Sequence, residues 1–458
     1  MAMETAKKMT LFGLVWPIMI ELFLQFMIGT ADTLMVSRIS DDAVAVVGIS
    51  NQFFQAVIML FVLISSGAGI VISQKLGAGK EEEARKVASM AFTLTVGLGL
   101  VVSLFLFFGA NIFVNMLHVP ESLHAMTYQY IRVVGSGTIV MSAILTLSTV
   151  IRSTGNTKGP MLVAVGMNII HIIGNYVFIF GALGLPKWGL LGVSLSTVGS
   201  RAIALLVLFY IFRKSFTGLI QWRDLRLFDR PLLKEVAKVG LPMAFSSASW
   251  TISQVILFSM IATMGAEQLA ARTYLNTMES FSFLAGWSFA MAVQIQVAHL
   301  FGAGQMEKAY RSLYKALFWG ELIVITNTIL LFIFGKNVVG AFTDNQEIIS
   351  IVVGVMALNL LLQPLKMWNM PLNNALNAVG ETKYVMNISI VCMWIIAVGG
   401  TYLFGLQLGW LIYGVYVAMI LDEGIRGFLV QRRWLARKKL PKESAPMIQE
   451  RRGIAGQM

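Results

Sequence analysis

Charge is what this chain has least of: 13% of its 458 residues are Asp, Glu, Lys or Arg, against 57% hydrophobic. That balance excludes an ordinary soluble globular domain. Cysteine is nearly absent as well. A single Cys392 leaves no intramolecular disulfide and no thiolate cluster for a metal. No glycine-rich loop ending in Gly-Lys-Ser/Thr is present, so direct ATP hydrolysis is not implied. The stretch "GSGTIV" at Gly135 lacks the preceding strand and following acid of a dinucleotide site. His118 and His124, two of only four histidines, have Glu121 as their one nearby acid, so no metal site is expected there. No nucleophile and base stand at one depth, so no enzyme is expected, although a membrane-embedded enzyme is the rival class that a loss of chemical conversion would support.

What the chain does have is long apolar runs. A bilayer core of roughly 30 Å takes about 20 apolar residues per helix, and twelve segments qualify: 11–37, 45–73, 87–111, 126–150, 159–183, 189–212, 239–263, 270–297, 313–335, 348–374, 384–406 and 408–430. The fold class expected is an all-α integral membrane protein. The first run is too long and wrongly flanked for a cleaved signal peptide, so it is expected to remain. Most of the 35 Lys and Arg fall in the N-terminus, the even-numbered connections and the C-terminal tail. Arg38, Lys187, Arg272 and Lys336 fall in odd-numbered connections, and Arg132, Arg201, Lys366 and Arg426 within spans. This asymmetry predicts a multi-pass protein of the cell membrane with both termini cytoplasmic. The net charge of +12 then serves topology and anionic headgroups rather than nucleic acid, and the basic tail "RRWLARKKLPK" reads as a flank that stops transfer.

A repeat underlies the twelve spans. "LGAGKEEEARK" at Leu76 recurs as "FGAGQMEKAYR" at Phe301, a shift of 225 that also carries Pro17 onto Pro242, Ala45 onto Ala270, Gly155 onto Gly380, and Thr157 and Lys158 onto Thr382 and Lys383. The organisation expected is an N-terminal six-helix bundle (1–212), a cytoplasmic connecting loop (213–238), a C-terminal six-helix bundle (239–430) and a basic tail (431–458). Six spans per half make the repeat parallel, a pseudo-two-fold about the membrane normal. Rocking such halves against each other suits alternating access.

Ionisable groups inside spans cost about 2.5–3.5 kcal/mol on insertion scales and are functional candidates by default. Asp32 leads them. Glu21 and Gln25 precede it by eleven and seven residues, which brings all three within about 20° of one helix face. They are expected to form a polar stripe, with Asp32 as a site that binds a proton or a sodium ion. In the fifth span Asn168, His171 and Asn175 share a face at spacings of three and four, and His171 is a candidate proton acceptor. Ser194 and Thr197 of the sixth span are candidates to complete the cluster. In the second half, Glu279 and Lys366 are read either as a structural ion pair or as cavity groups with a substrate or coupling role. Asp422, Glu423 and Arg426 are read as a local structural group, with Asp422 and Arg426 paired.

The stretch "LVWPIMIELFLQFMIGTADTLMVSRISDDAVAVVGIS" resembles the first-helix signature of the multidrug and toxic compound extrusion (MATE) family: Pro17, Asp32, the exit Met35, Val36 and Arg38, and the entry Ala43, Ala45 and Gly48. "LGAGKEEEARK" is similar to that family's first cytoplasmic loop and "IRSTGNTKGP" to the segment after its fourth helix. The resemblance implies a twelve-helix antiporter that expels amphipathic, often cationic compounds in exchange for sodium or protons. It places ion coupling on Asp32, with His171, Asn175 and Thr197 as neighbours. The chain departs from one branch of the family, because its seventh span has no acid and Lys366 stands where a tenth-span acid would be. One N-terminal carboxylate beside a histidine favours protons over sodium.

The expected function is therefore a monomeric efflux antiporter for amphipathic small molecules in the lipid bilayer, with no cofactor beyond its coupling ion and no nucleic-acid partner. Its abundant Met, Phe and Trp suit variable ligands. The alternative is a flippase for lipid-linked oligosaccharides, which Arg132, Arg201 and Lys366 would favour if they faced one cleft.

Overall fold

The protein is seen in a computed structural model that describes residues 9–438 apart from 117–118, 185, 217, 219, 221–223 and 227. His118 and tail residues 439–458 lie outside the described residues. Among the described residues thirteen α-helices follow in order: α1 (Leu11–Val36), α2 (Asp41–Gly77), α3 (Glu81–Met116), α4 (His124–Ser136), α5 (Thr138–Ser153), α6 (Lys158–Phe180), α7 (Gly189–Arg213), α8 (Arg230–Ala262), α9 (Ala266–Gly302), α10 (Met306–Gly340), α11 (Gln346–Ala378), α12 (Thr382–Cys392) and α13 (Leu411–Lys438). α12 continues as π-helical turns, Met393–Val398 and Thr401–Gln407.

These helices make the twelve expected spans. Ten are individually long and apolar enough to cross a membrane, and α4 with α5 forms one further span bent by 42°. The bend falls at Gly137, where helical hydrogen bonding lapses. Ser103 of α3 mends the break, its Oγ donating to the Ser136 carbonyl at 2.9 Å and accepting from the Ile139 amide at 2.9 Å. A side-chain hydroxyl is how an interrupted membrane helix satisfies its freed backbone. α13 is the twelfth span and carries Asp422, Glu423 and Arg426 within it.

Several boundaries differ from the sequence reading. The connecting loop does not extend to 238, because α8 begins at Arg230 with Asp229 capping it, Oδ1 accepting from the Leu232 amide at 3.1 Å. Likewise α13 runs past 430 to Lys438. Arg272 is not in an outer connection but inside α9 and buried.

The halves interlock at the end of the molecule that holds the start of α1 and the end of α13. There the first turns of α1 (Leu11, Leu14, Val15 and Ile18) sit in one core with Phe289, Val293, Leu313 and Leu372 of the C-terminal half. Reciprocally, Leu232, Val236 and Val239 of α8 sit in a core with Ile70, Ile72, Leu147 and Phe212 of the N-terminal half. Each half thus lends the opening turns of its first helix to the other.

The crossing of α2 and α9 is symmetric to the residue. A Cβ on Gly77 would collide with the His299 carbonyl, and one on its repeat mate Gly302 would collide with the Gln74 carbonyl. Gln74 Nε2 donates to the Ala378 carbonyl at 2.7 Å, while His299 Nε2 lies 2.7 Å from the Ser153 carbonyl. Thr157 Oγ1 donates to the Gly13 carbonyl at 3.3 Å, and its mate Thr382 Oγ1 to the Lys238 carbonyl at 3.4 Å. Buried Lys75 adds an asymmetric tie, reaching Glu83 in its own half at 2.7 Å and Glu235 in the other at 2.9 Å.

Candidate functional site

Asp32 lies near the end of α1 opposite that crossing. Its Oδ1 stands 2.7 Å from His171 Nε2 and accepts from Asn175 Nδ2 at 2.9 Å. His171 and Asn175 are one helical turn apart on α6, both buried, whereas the Asp32 side chain keeps 27% of its surface open. The carboxylate therefore has protein on one side and access on the other. Asn175 Oδ1 is buried without a partner, which leaves one free acceptor beside the acid.

α7 fixes the histidine from behind. Gly174 makes room for it, since a Cβ there would strike Ser196 Oγ. Ser196 Oγ donates to the His171 carbonyl at 3.1 Å, and Ser200 Oγ lies 3.5 Å from His171 Nδ1. Ser200 Oγ donates in turn to the Thr197 carbonyl at 3.1 Å, and Asn175 Nδ2 lies 3.2 Å from the same Nε2 that faces Asp32.

The structure brings together Asp32, His171 and Asn175 and leaves out several other candidates. Thr197 Oγ1 donates to the Val193 carbonyl and Ser194 Oγ to the Leu190 carbonyl, both at 2.9 Å within their own helix. Ser196 and Ser200 take the place expected for them. Asn168 is buried one turn before His171 and makes no hydrogen bond to Asp32.

The Glu21, Gln25 and Asp32 stripe does not exist as one site. Glu21 is buried, and its Oε1 accepts from Arg152 Nη1 of α5 at 2.7 Å. Arg152, expected in a connection, is the last full turn of α5 and also reaches Thr149 Oγ1 at 3.3 Å. Gln25 is exposed between the two. Sharing a helix face is not contact: eleven residues at 1.5 Å each separate Glu21 from Asp32 by about 16 Å along the axis.

A second polar constellation fills the C-terminal half. Glu279 Oε1 accepts from Asn359 Nδ2 at 3.0 Å and from the Tyr416 hydroxyl, and Oε2 lies 3.3 Å from Lys366 Nζ and 3.5 Å from Arg272 Nη1. Arg272 Nη1 also donates to the Tyr416 hydroxyl at 2.6 Å. Four donors leave this carboxylate no free lone-pair direction for an incoming ion. The expected Glu279–Lys366 pair is present, but it belongs to a network that includes three residues the sequence reading missed: Arg272, Asn359 and Tyr416. Arg272 was legible, two helical turns before Glu279 on the same face. Nothing in the sequence marks Tyr416.

This network borders a cavity of about 260 Å³ whose far wall carries Asp422, Glu423 and Arg426. Arg426 Nη2 pairs with Asp422 at 2.9 Å and with Glu423 at 2.6 Å, and Asn369 Nδ2 donates to Glu423 at 2.6 Å. Trp250, Phe283, Met370 and Met393 supply apolar lining.

Each of the three cations that would favour a flippase has a contact of its own. Arg132 lies over the Phe107 ring at 4.3 Å, Lys366 is tied to Glu279, and Arg201 contacts Met141.

Known proteins match this arrangement along nearly its whole length. The MatE family pattern matches residues 17–177 and 242–403, so its two copies begin at the repeat mates Pro17 and Pro242. The "Uncharacterized transporter YisQ" of Bacillus subtilis (strain 168) is 34% identical over 439 residues, 96% of either chain. The "Probable multidrug resistance protein NorM" of Thermotoga maritima is 27% identical and is covered to 94%, as is this chain. A solved structure described as MATE in the bent conformation superimposes with a TM-score of 0.86 at 20% identity, covering 96% of this chain and 98% of its own. At that identity the likeness speaks for the twelve-helix fold. The chain belongs to the MatE family of multidrug and toxic compound extrusion transporters.

Proposed function

We propose that this transporter exports amphipathic organic cations in exchange for protons and that Asp32 is the residue through which the two are coupled. The observation that carries the reading is the contact set of Asp32: a partly open carboxylate held by the His171 ring and the Asn175 amide, beside an unpartnered Asn175 carbonyl oxygen. A carboxylate so placed takes up a proton from the open side and, once protonated, gives up its hold on His171. The description of the Thermotoga relative names multidrug resistance, and the Met and aromatic residues of the two halves are adaptable surfaces for varied ligands.

The interlocked end supports the direction of exchange. If the termini are cytoplasmic, the contacts of Gln74, His299, Gly77 and Gly302 close the cytoplasmic side, and Asp32 is reached from outside. Protonation there releases the substrate outward. Reopening the crossing then returns the proton inward. With one proton entering for each monovalent cation that leaves, no net charge crosses, so the pH difference drives the exchange: each pH unit, about 1.4 kcal/mol, supports about one decade of concentration ratio.

Protons rather than sodium are favoured because both side chains bonded to Asp32 meet it through nitrogen, whereas a hard cation seeks several oxygens. The test is dye efflux from proteoliposomes under an imposed proton gradient or sodium gradient, applied separately. Efflux driven by the proton gradient alone is expected. Efflux driven only by sodium would overturn the choice of ion, and efflux under neither would overturn coupling.

A further inference from the structure

The cavity of about 260 Å³ in the C-terminal half lies in the bundle that does not hold Asp32, and its charges are balanced. Its cations are Arg272, Lys366 and Arg426, and its anions are Glu279, Asp422 and Glu423. Most of these are spent on one another: Arg272, Glu279, Asp422 and Arg426 each keep 9% or less of the side chain open. Lys366 keeps 16% and Glu423 15%. The cavity therefore presents chiefly one cation and one anion.

Both retain bonding capacity. Lys366 Nζ has three hydrogens and uses one on Glu279 at 3.3 Å. Glu423 accepts one hydrogen bond at each oxygen, from Arg426 at 2.6 Å and from Asn369 at 2.6 Å, which leaves a lone pair on each. The two charges are neighbours without being partners. Lys366 and Asn369 stand one turn apart on α11, and Asn369 holds Glu423, while Lys366 is held by Glu279.

Trp250 of α8 and Phe283 of α9 form the aromatic part of the lining, with ring centroids 6.5 Å apart and planes 15° apart. Trp287 stacks on Phe283 in turn, at 6.2 Å and 6°. Nearly parallel rings held by such neighbours offer a flat face to a planar guest. The fold does not call for the charges beside them. The shift of 225 lands Arg272, Glu279, Lys366 and Glu423 on Val47, Phe54, Met141 and Val198, so the N-terminal half builds the corresponding helices with no charge at any of the four places.

A plain organic cation in this cavity would meet Lys366, and a plain anion would meet Glu423. A guest that carries both signs meets neither penalty. The volume lies below the about 300–1,000 Å³ of most ligand pockets, so the guest is compact. We infer that this cavity binds a compact aromatic zwitterion: its ammonium donates to Glu423, its carboxylate accepts from Lys366, and its ring lies against Trp250 and Phe283. The chemical class is that of the aromatic amino acids. This goes beyond the export of organic cations through Asp32 and does not depend on it.

Binding of labelled tryptophan, tryptamine and indole-3-propionate to the purified full-length protein is measured by equilibrium dialysis at neutral pH. The three share one ring system and carry both charges, the cation alone or the anion alone. Tryptophan is expected to bind about tenfold or more tightly than either of the others, since it adds a charge-assisted contact that each of them lacks. Glu423→Gln is expected to weaken tryptophan and tryptamine and to spare indole-3-propionate. Lys366→Met is expected to weaken tryptophan and indole-3-propionate and to spare tryptamine. Both substitutions also break an ion network, so Trp250→Leu and Phe283→Leu, which leave every charge in place, are measured beside them and are expected to weaken all three ligands several-fold. Tryptamine or indole-3-propionate bound as tightly as tryptophan would overturn the zwitterion assignment. Absence of saturable tryptophan binding, or an unchanged tryptophan affinity in both Trp250→Leu and Phe283→Leu, would overturn the site itself.

Discussion

Gln74 and His299 stand 225 residues apart and do the same work, each reaching from one half to a backbone carbonyl of the other, at Ala378 and Ser153, with both contacts at 2.7 Å. Ala378 and Ser153 are themselves 225 apart. A carbonyl only accepts, so His299 Nε2 carries the hydrogen, as the Gln74 amide nitrogen does. The imidazole is here a neutral-donor equivalent of glutamine. His299→Gln is therefore expected to retain transport close to wild type, while His299→Leu removes a donor from a buried carbonyl and loosens the closed end. In a Cys392→Ser background, thiol labelling at Ala303→Cys should be slow in His299→Gln and faster in His299→Leu. Equal loss of transport in both variants would show that the ring itself is required.

The same crossing leaves no room for a methyl group. Gly77→Ala and Gly302→Ala each force a Cβ against a carbonyl across the α2–α9 contact. Each is expected to disfavour the closed end and to slow transport by about tenfold or more, with little change in substrate binding. Overpacking of such a contact costs about 1–3 kcal/mol. Steady-state efflux together with ligand binding on the same preparations checks the split.

Glu279 is expected to be structural. Glu279→Gln strips the anion from Arg272 and Lys366, and an uncompensated buried charge costs about 3–5 kcal/mol. The apparent Tm in detergent should fall, and Lys366→Met added to Glu279→Gln should restore part of it. Proton-driven transport by whatever protein remains folded should keep its dependence on the gradient. Loss of that dependence would move coupling into the C-terminal half.

Glu21 is expected to behave like Glu279 rather than Asp32. Its partner Arg152 would be left charged and buried in Glu21→Gln. A lowered Tm with unchanged proton dependence is the expected outcome, and Glu21→Gln with Arg152→Gln should be more stable than Glu21→Gln alone.

Much of this architecture could be read before the structure, because apolar length marks spans and a fixed shift marks repeats. The shift of 225 even carries to single hydrogen bonds, as Thr157 and Thr382 show. What the sequence hid has particular causes. Arg230 to Lys238 is polar enough to pass for a loop, yet it is a helix that projects beyond the apolar zone to pack under the other half. Charges close to a span's end, such as Arg272 and Arg152, pass for flanks when they are ligands of buried acids. A helical wheel places Ser194 and Thr197 as readily as Ser196 and Ser200, because the rotation of α7 against α6 is set by the fit of Ser196 against Gly174. Asp32 with His171 and Asn175 was legible since i to i+4 spacing fixes the α6 pair, and one acid on α1 had few other partners. The shift also lands Asp32 on Leu257, which is buried, so the asymmetry between the halves was legible too.

The most direct test of Asp32 as the coupling residue compares two assays of Asp32→Asn in proteoliposomes: efflux driven by an imposed proton gradient, and exchange of labelled for unlabelled substrate at equilibrium without a gradient. The account predicts that gradient-driven efflux is abolished while folding, membrane insertion and equilibrium exchange survive. Undiminished gradient-driven efflux by Asp32→Asn would contradict it.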